Sequence, residues 1–400
     1  MNQTTDDLYD SPQALECENA HCSYFTSGTC RSCDLLGVPS GSRLSLKLSA
    51  VRNALLHNGL PDGILQPLVL PTHPWESRRK IKMAASGTSS APVLGIIRSD
   101  QSSADLRECP LMPQAVRALL KSISEVITKH DLKPYDVNER RGELKYIIIM
   151  ATQDLSQGAV RFVLRSTEAV PRIRKALEAI QRTHPWIQVI SCNIQPQPAA
   201  ILEGEEEIIL TEVRTIMERC GTVPLILSPR SFMQVTPEVA FRLYSTARDL
   251  AAKLGARDVL DLFCGVGGFS LHVASVTNSV VGVELSDSAI RSARESAALL
   301  GYQHTTFHAS DVDRFLSQNT ELRPDLVIAN PPRRGLSHST INHIVAMTPQ
   351  HILYSSCNPE TFARDAALLC AHYDLNKVIP FDMFPMTRHC EVLGIFSKGA

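Results

Sequence analysis

The stretch DVLDLFCGVGGFSLHVA, Asp258–Ala274, decides how the chain is read. A short apolar run ends in Gly265, Gly267 and Gly268, which let the backbone pass close to a ligand at the head of the helix that follows. Strand, glycine turn and helix together open a dinucleotide-type α/β fold. About twenty residues on, VVGVELS places Glu284 at the end of a second strand, where a carboxylate can accept hydrogen bonds from both hydroxyls of a ribose. PDLVIANPP and HILYSSCN are two further strand-like runs separated by helical segments, so residues 236–400 read as a doubly wound, mostly parallel sheet. The boundary is expected near residue 235, where Thr-Pro-Glu opens a helix with Thr236 as its N-cap.

The glycine turn is not the G-x-G-x-x-G of a dehydrogenase. D-x-F-C-G-x-G-x-F resembles motif I of the class I methyltransferases, and that resemblance implies a seven-stranded Rossmann-like domain, S-adenosylmethionine as cofactor and Phe263 in its site. Asn330 ends the fourth strand, and the prolines after it hold an extended backbone. Enzymes that methylate amino groups follow N-P-P with an aromatic; here Arg333 follows, which weighs against an amino-group target.

Upstream, RGELKYIIIMATQ, AVRFVLRS, QVISCNIQPQ and EEEIILTE are β-branched runs set between turns and helical patterns, the mark of a central α+β domain over 111–235. Residues 1–16 form a polar tail. The region 17–110 is loop-rich, interleaved with the central domain, and carries turn signals in GVPSGSR and ASGTSSAP. The 400 residues hold 40 Lys and Arg against 41 Asp and Glu, with 44% apolar residues, so a generally basic nucleic-acid coat is excluded and a local basic groove is not. No apolar run is long enough to span a membrane, and the start is acidic where a signal peptide is basic. A cytoplasmic protein, by default a monomer, is expected.

Cys357, in LYSSCNPETFARD, ends a hydrophobic strand on a thiol. A cysteine there is ordinarily a small apolar residue. Carbon 5 of uracil is a poor nucleophile, however, and a thiolate adding reversibly at carbon 6 would push electron density onto it. A base must then remove the carbon-5 proton, and Glu391 in FPMTRHCEVL, at the start of the last strand, supplies one.

SFMQV, DLFCGVGGF, NPPRRG, LYSSCNPET and FPMTRHCEVL, in that order, resemble the RNA uracil-C5 methyltransferase family over the last 170 or so residues. The resemblance implies that Gln234, Phe263, Glu284 and Asn330 bind S-adenosylmethionine, with Cys357 as nucleophile and Glu391 as base. The family usually has aspartate where this chain has Asn330; asparagine is similar to one subgroup.

Eleven cysteines in a reducing compartment do not suggest disulfides, and four crowd into Cys17 to Cys33. Cys22, Cys30 and Cys33 form C-x7-C-x2-C, and Cys109 lies before a proline far downstream; this spacing admits zinc or an iron–sulfur cluster. The family resemblance implies a 4Fe-4S cluster on these four, with Cys17 a spare thiol and His21 a surface residue. Within the family the chain is similar to the type that methylates uracil 747 of 23S ribosomal RNA, which lacks an N-terminal RNA-binding β-barrel. Arg78, Arg79, Lys80 and Lys82, then Arg140, Arg141 and Lys145, then Arg333 and Arg334 are the basic runs available to an RNA partner. The target base would have to leave its stack to meet Cys357. Competing readings are a uracil-C5 methyltransferase of transfer RNA or another ribosomal site, and an Fe-S or zinc RNA-binding protein without catalysis.

Overall fold

The computed structural model describes residues 22–98, 100–198 and 202–399. The expected tail at 1–16, Cys17 and His21 lie outside them. Two seven-stranded sheets divide the chain. The first is built from β1 (Lys80–Gly87), β2 (Pro92–Ile97), β3 (Ser103–Asp105), β4 (Leu144–Ala151), β5 (Gly158–Leu164), β6 (Ile187–Ile194) and β7 (Glu206–Ile209) in the order β3-β2-β1-β4-β5-β6-β7. Its pairs are antiparallel except β5 with β6. The helix Gln114–Lys129 lays Val116, Leu119, Leu120, Ile123 and Ile127, an i, i+3, i+4 stripe, into its core.

A hairpin of β8 (Ile216–Cys220) and β9 (Val223–Leu227) leads to the second sheet: β10 (Asp258–Leu262), β11 (Ser279–Glu284), β12 (Thr305–Ala309), β13 (Leu326–Ala329), β14 (His351–Ser356), β15 (Tyr373–Phe381) and β16 (Glu391–Lys398). Their order is β12-β11-β10-β13-β14-β16-β15, with β10 to β14 parallel and β16 inserted antiparallel between β14 and β15. The order reverses between β10 and β13, and a ligand crevice belongs outside the carboxyl ends of strands at such a point. The central strands are buried and largely apolar because helices cover both faces. Among the described residues no helix is long and apolar enough to cross a membrane.

The structure departs from the expected organisation in three places. The hairpin β8–β9 lies before residue 235 yet packs on the half built around the second sheet: Cys220, Val223 and Leu225 share a core with Ile290 and Ala293, and the Ile226 amide donates to Ser296 at 2.9 Å. The first third is less loop-rich than its turn signals suggested, since GVPSGSR runs into the helix Ser40–His57 and ASGTSSAP is the β1–β2 turn. That helix also belongs to the second-sheet half and not to the central one: Val51, Ala54 and Leu55 join the core beneath β13 and β14. The next segment covers the free edge of β15, with Gln66 and Val69 donating to Val378 and Pro380 at 2.8 and 2.9 Å. An apolar stripe in the sequence shows that a helix is buried, not against what. Thr236 does stand at the N-cap of the helix Pro237–Lys253, but its hydroxyl donates to the Met383 carbonyl at 2.9 Å instead of capping.

Candidate active site

Phe263 and Asn330 follow β10 and β13 directly, and the pairing of Leu262 with Ala329 brings them side by side at the reversal point. Phe263 adopts φ +61°, a left-handed conformation rare for a non-glycine residue and held here by the turn it begins. Both residues line a cleft of about 660 Å³ together with Gln234, Gly265 and Tyr244. Among the described residues a Cβ built on Gly265 meets nothing within 4 Å, so that edge of the turn is open to a ligand. Glu284 ends β11 on the neighbouring strand, half-buried, with its carboxylate accepting from the Ser286 amide at 2.9 Å. It stands beside the cleft and is not part of its lining.

Two carboxylates of this crevice were not foreseen. Asp261 is fully buried and anchors the helix Gly268–Val273, accepting from the Ser270 amide at 3.0 Å and its hydroxyl at 2.5 Å. Its other oxygen has no partner among the described residues, and burial pushes its pKa up to about 7. Glu218, on β8, lines the cleft and is likewise pushed to about 7 by burial, against the Gln153 amide that donates to it at 2.9 Å.

Cys357 and Glu391 face each other. β14 and β16 pair Ser356 with Val392, and the next position on each strand is Cys357 and Glu391. Glu391 is 2% exposed; burial lifts its pKa to about 7, opposed by the Ser355 hydroxyl, which donates to its Oε1 at 2.6 Å. Burial also pushes the Cys357 thiol up, and the nearby Glu391 charge adds to this, while the exposed Arg333 guanidinium works the other way. A thiol, a carboxylate poised near neutrality and a cation thus meet at one strand end, next to a ligand cleft. That arrangement can add a nucleophile to an electrophilic carbon and move a proton.

The four cysteines also converge. Cys22 precedes the short helix Ser23–Thr26, the Cys30 amide donates to Tyr24 at 2.9 Å, and Cys30, Cys109 and Tyr24 pack on the central core. Burial pushes Cys33 up to about 12, and Cys109, Cys30 and Cys22 are all close enough to raise it further. Among the described residues no three His, Cys, Asp or Glu side chains are disposed to hold a single metal ion.

Two of the basic candidates are structural. Arg79 is buried and donates to the Gln153 carbonyl at 3.1 Å; Lys145 is buried between Gln195 and the Gln197 carbonyl, over the ring of Tyr135. Arg140, Arg141, Arg333 and Arg334 are exposed, and Lys80 sits over the exposed ring of Phe232 at the cleft mouth.

A family described as a methyltransferase domain matches residues 255–365. The 23S rRNA (uracil(747)-C(5))-methyltransferase RlmC of Pectobacterium atrosepticum is 41% identical over 94% of this chain and 100% of its own length. The enzyme of the same name from Shewanella amazonensis is 42% identical, over 95% of this chain and 98% of its own. Among solved structures, a tRNA (uracil-54, C5)-methyltransferase of Pyrococcus abyssi, in complex with S-adenosyl-L-homocysteine, superposes with a TM-score of 0.75 over 91% of this chain and 85% of its own at 23% identity. At that identity the likeness speaks to the fold.

Proposed function

The chain belongs to the RNA uracil-C5 methyltransferase family, and from that membership we propose that it methylates carbon 5 of uracil 747 in 23S ribosomal RNA, the site named for relatives about 41% identical to it. The observation that carries the reading is Cys357 facing Glu391 at adjoining strand ends beside the cleft of Gln234, Phe263 and Asn330.

Gln234, Phe263 and Asn330 would hold S-adenosylmethionine in that cleft, with Glu284 on its ribose. The fit rests on the open face of Gly265 and on the unpartnered Asp261 oxygen behind the turn. When bound, S-adenosylmethionine supplies the methyl group for carbon 5. The chain does the rest. The Cys357 thiolate adds to carbon 6 of a uracil turned out of its stack, and the electron pair of the 5,6 double bond moves onto carbon 5 and its enolate oxygen. Arg333 favours the thiolate that this requires. After methylation Glu391 takes the carbon-5 proton; the pair left behind re-forms the double bond, and the carbon–sulfur bond breaks to return the thiolate. A carboxylate with a pKa of about 7 is matched to that task at neutral pH.

Cys22, Cys30, Cys33 and Cys109 are proposed as ligands of a 4Fe-4S cluster. The donor set is all thiol and the four converge; a cluster gives each thiolate its own iron, whereas one zinc ion draws all four to one centre. Its role is proposed as structural. A cytoplasmic monomer is proposed, with RNA as its partner.

The test is mass spectrometry of a 23S rRNA fragment carrying the 747 loop, incubated with S-adenosylmethionine and either wild type or Cys357→Ala. One methyl group at carbon 5 of a single uracil, absent with the variant, is expected. Methylation of transfer RNA instead would overturn the substrate and keep the chemistry; no methylation of any RNA would leave a binding protein.

A further inference from the structure

Lys47, on the helix Ser40–His57, is 2% exposed, and its ammonium reaches the Asp382 carboxylate, the Phe384 carbonyl at 3.1 Å and the His389 carbonyl at 3.3 Å. An ammonium has three donors. All three go to the loop between β15 and Glu391, two at its start and one at its end. The middle of the loop is held from the same N-terminal segment: the Leu35 amide donates to Met386 at 3.1 Å, and Asp34 accepts from the Arg388 amide at 3.1 Å and pairs with its guanidinium at 3.0 Å. Met386 sits at φ +67°, and a non-glycine residue stays there only where its surroundings over-determine it. The loop has one turn of its own, in which the Thr387 amide and hydroxyl donate to the Phe384 carbonyl at 3.2 and 2.9 Å, and Thr236 holds Met383; its two ends and its Met386–Arg388 stretch are tied down by residues more than 300 positions upstream.

We propose that Lys47 and Asp34 are positioning residues for Glu391, fixing the loop so that the carboxylate faces the Cys357 strand end. The inference rests on the reading of Glu391 as the base. Asp34 follows Cys33 directly, so one turn carries both a thiol of the four-cysteine site and an anchor of the base loop. A displaced base slows one step above all, removal of the carbon-5 proton, and without that step the carbon–sulfur bond between enzyme and RNA persists.

The experiment follows that bond. Full-length wild type, Asp34→Ala, Asp34→Asn, Lys47→Met and Glu391→Gln are mixed with S-adenosylmethionine and the RNA fragment, and covalent protein–RNA adduct is read on denaturing gels beside the single-turnover methyl-transfer rate. Asp34 is exposed, so its variants keep the fold even where Lys47→Met does not. Expected for Asp34→Ala are accumulated adduct and product release slowed about 10- to 100-fold, the range of a misplaced general base, with methyl transfer nearly unchanged. Asp34→Asn, which still accepts from the Arg388 amide, restores most of the release rate. Hydrogen exchange at that amide is faster in Asp34→Ala than in wild type. Transfer and release falling together, or no adduct with Asp34→Ala while Glu391→Gln accumulates it, overturns the positioning role alone. No adduct with Glu391→Gln overturns the base assignment, and the positioning role with it.

Discussion

The Ser355 hydroxyl donates a 2.6 Å hydrogen bond to Glu391 Oε1 from the strand that carries Cys357 two residues later. Both residues are buried, and this bond is what opposes the burial that pushes the carboxylate up to about 7. A hydrogen bond to the charged form stabilises that form by about 1.5–3 kcal/mol. Ser355→Ala should therefore move the Glu391 pKa further up, by on the order of one unit. The rising limb of the pH profile for adduct release shifts to higher pH, and release at pH 7 falls severalfold. A limb that stays in place would show that Ser355 does not tune Glu391.

The same burial makes Glu391 a stability liability with a defined sign. Its folded pKa, about 7, exceeds the usual carboxylate value, 4.5, so the native state holds a proton that the unfolded chain has lost. Stability on this account is full below about pH 4.5 and is lost as pH rises to about 7. Glu391→Gln, neutral at every pH, should raise stability at pH 8 by up to about 3 kcal/mol and change it little at pH 4.5. Denaturant melts at the two pH values decide it; equal effects at both would mean the carboxylate is not strained by its surroundings.

Gly268 opens the helix after the glycine turn, and a Cβ there would lie 2.6 Å from Tyr244 Cζ and 2.8 Å from its hydroxyl. The ring also packs edge to face on Phe269 at 4.9 Å, so little room is left for it to move. Gly268→Ala should cost about 1–3 kcal/mol from overpacking. Because Tyr244 lines the cleft with Gln234, it should also weaken S-adenosylmethionine binding. Calorimetric titration beside thermal melts tests both; unchanged affinity would remove Tyr244 from the cofactor wall.

How much of this could be read beforehand follows the range of the interactions. β10, its glycine turn and the strand ends at Glu284, Asn330 and Cys357 are local patterns, each legible in its own short stretch, and Asp258–Ala274 displays the strand, turn and helix within seventeen residues. The pairing of Cys357 with Glu391 needs β16 to insert between β14 and β15, a fact of topology that only the family motifs hinted at. Ser355, Tyr244 and Lys47 were missed because their roles depend on partners far along the chain. Lys47 did leave a trace. It shares a helical stripe with Val51, Ala54 and Leu55, all buried, and a charge at such a position calls for a buried partner. Which partner, Asp382, no spacing could say.

The four-cysteine site yields a test independent of methyl transfer. Without a bound group, burial keeps the Cys33 thiol protonated up to about pH 12, and its nearness to three other thiols makes four thiolates together unfavourable. A cationic iron–sulfur core held by these four cysteines would reverse that balance, with loss of the thiol protons. Protein purified without oxygen should then be coloured, with broad visible absorption and iron and sulfide in equal amounts. Cys33→Ser should be colourless or strongly depleted, because the proposed 4Fe-4S cluster would need all four thiolates. In acid the cluster should be lost progressively, since protons compete for the same sulfurs. One zinc per chain and no visible absorption in wild type would instead assign a single-ion site to the same four cysteines.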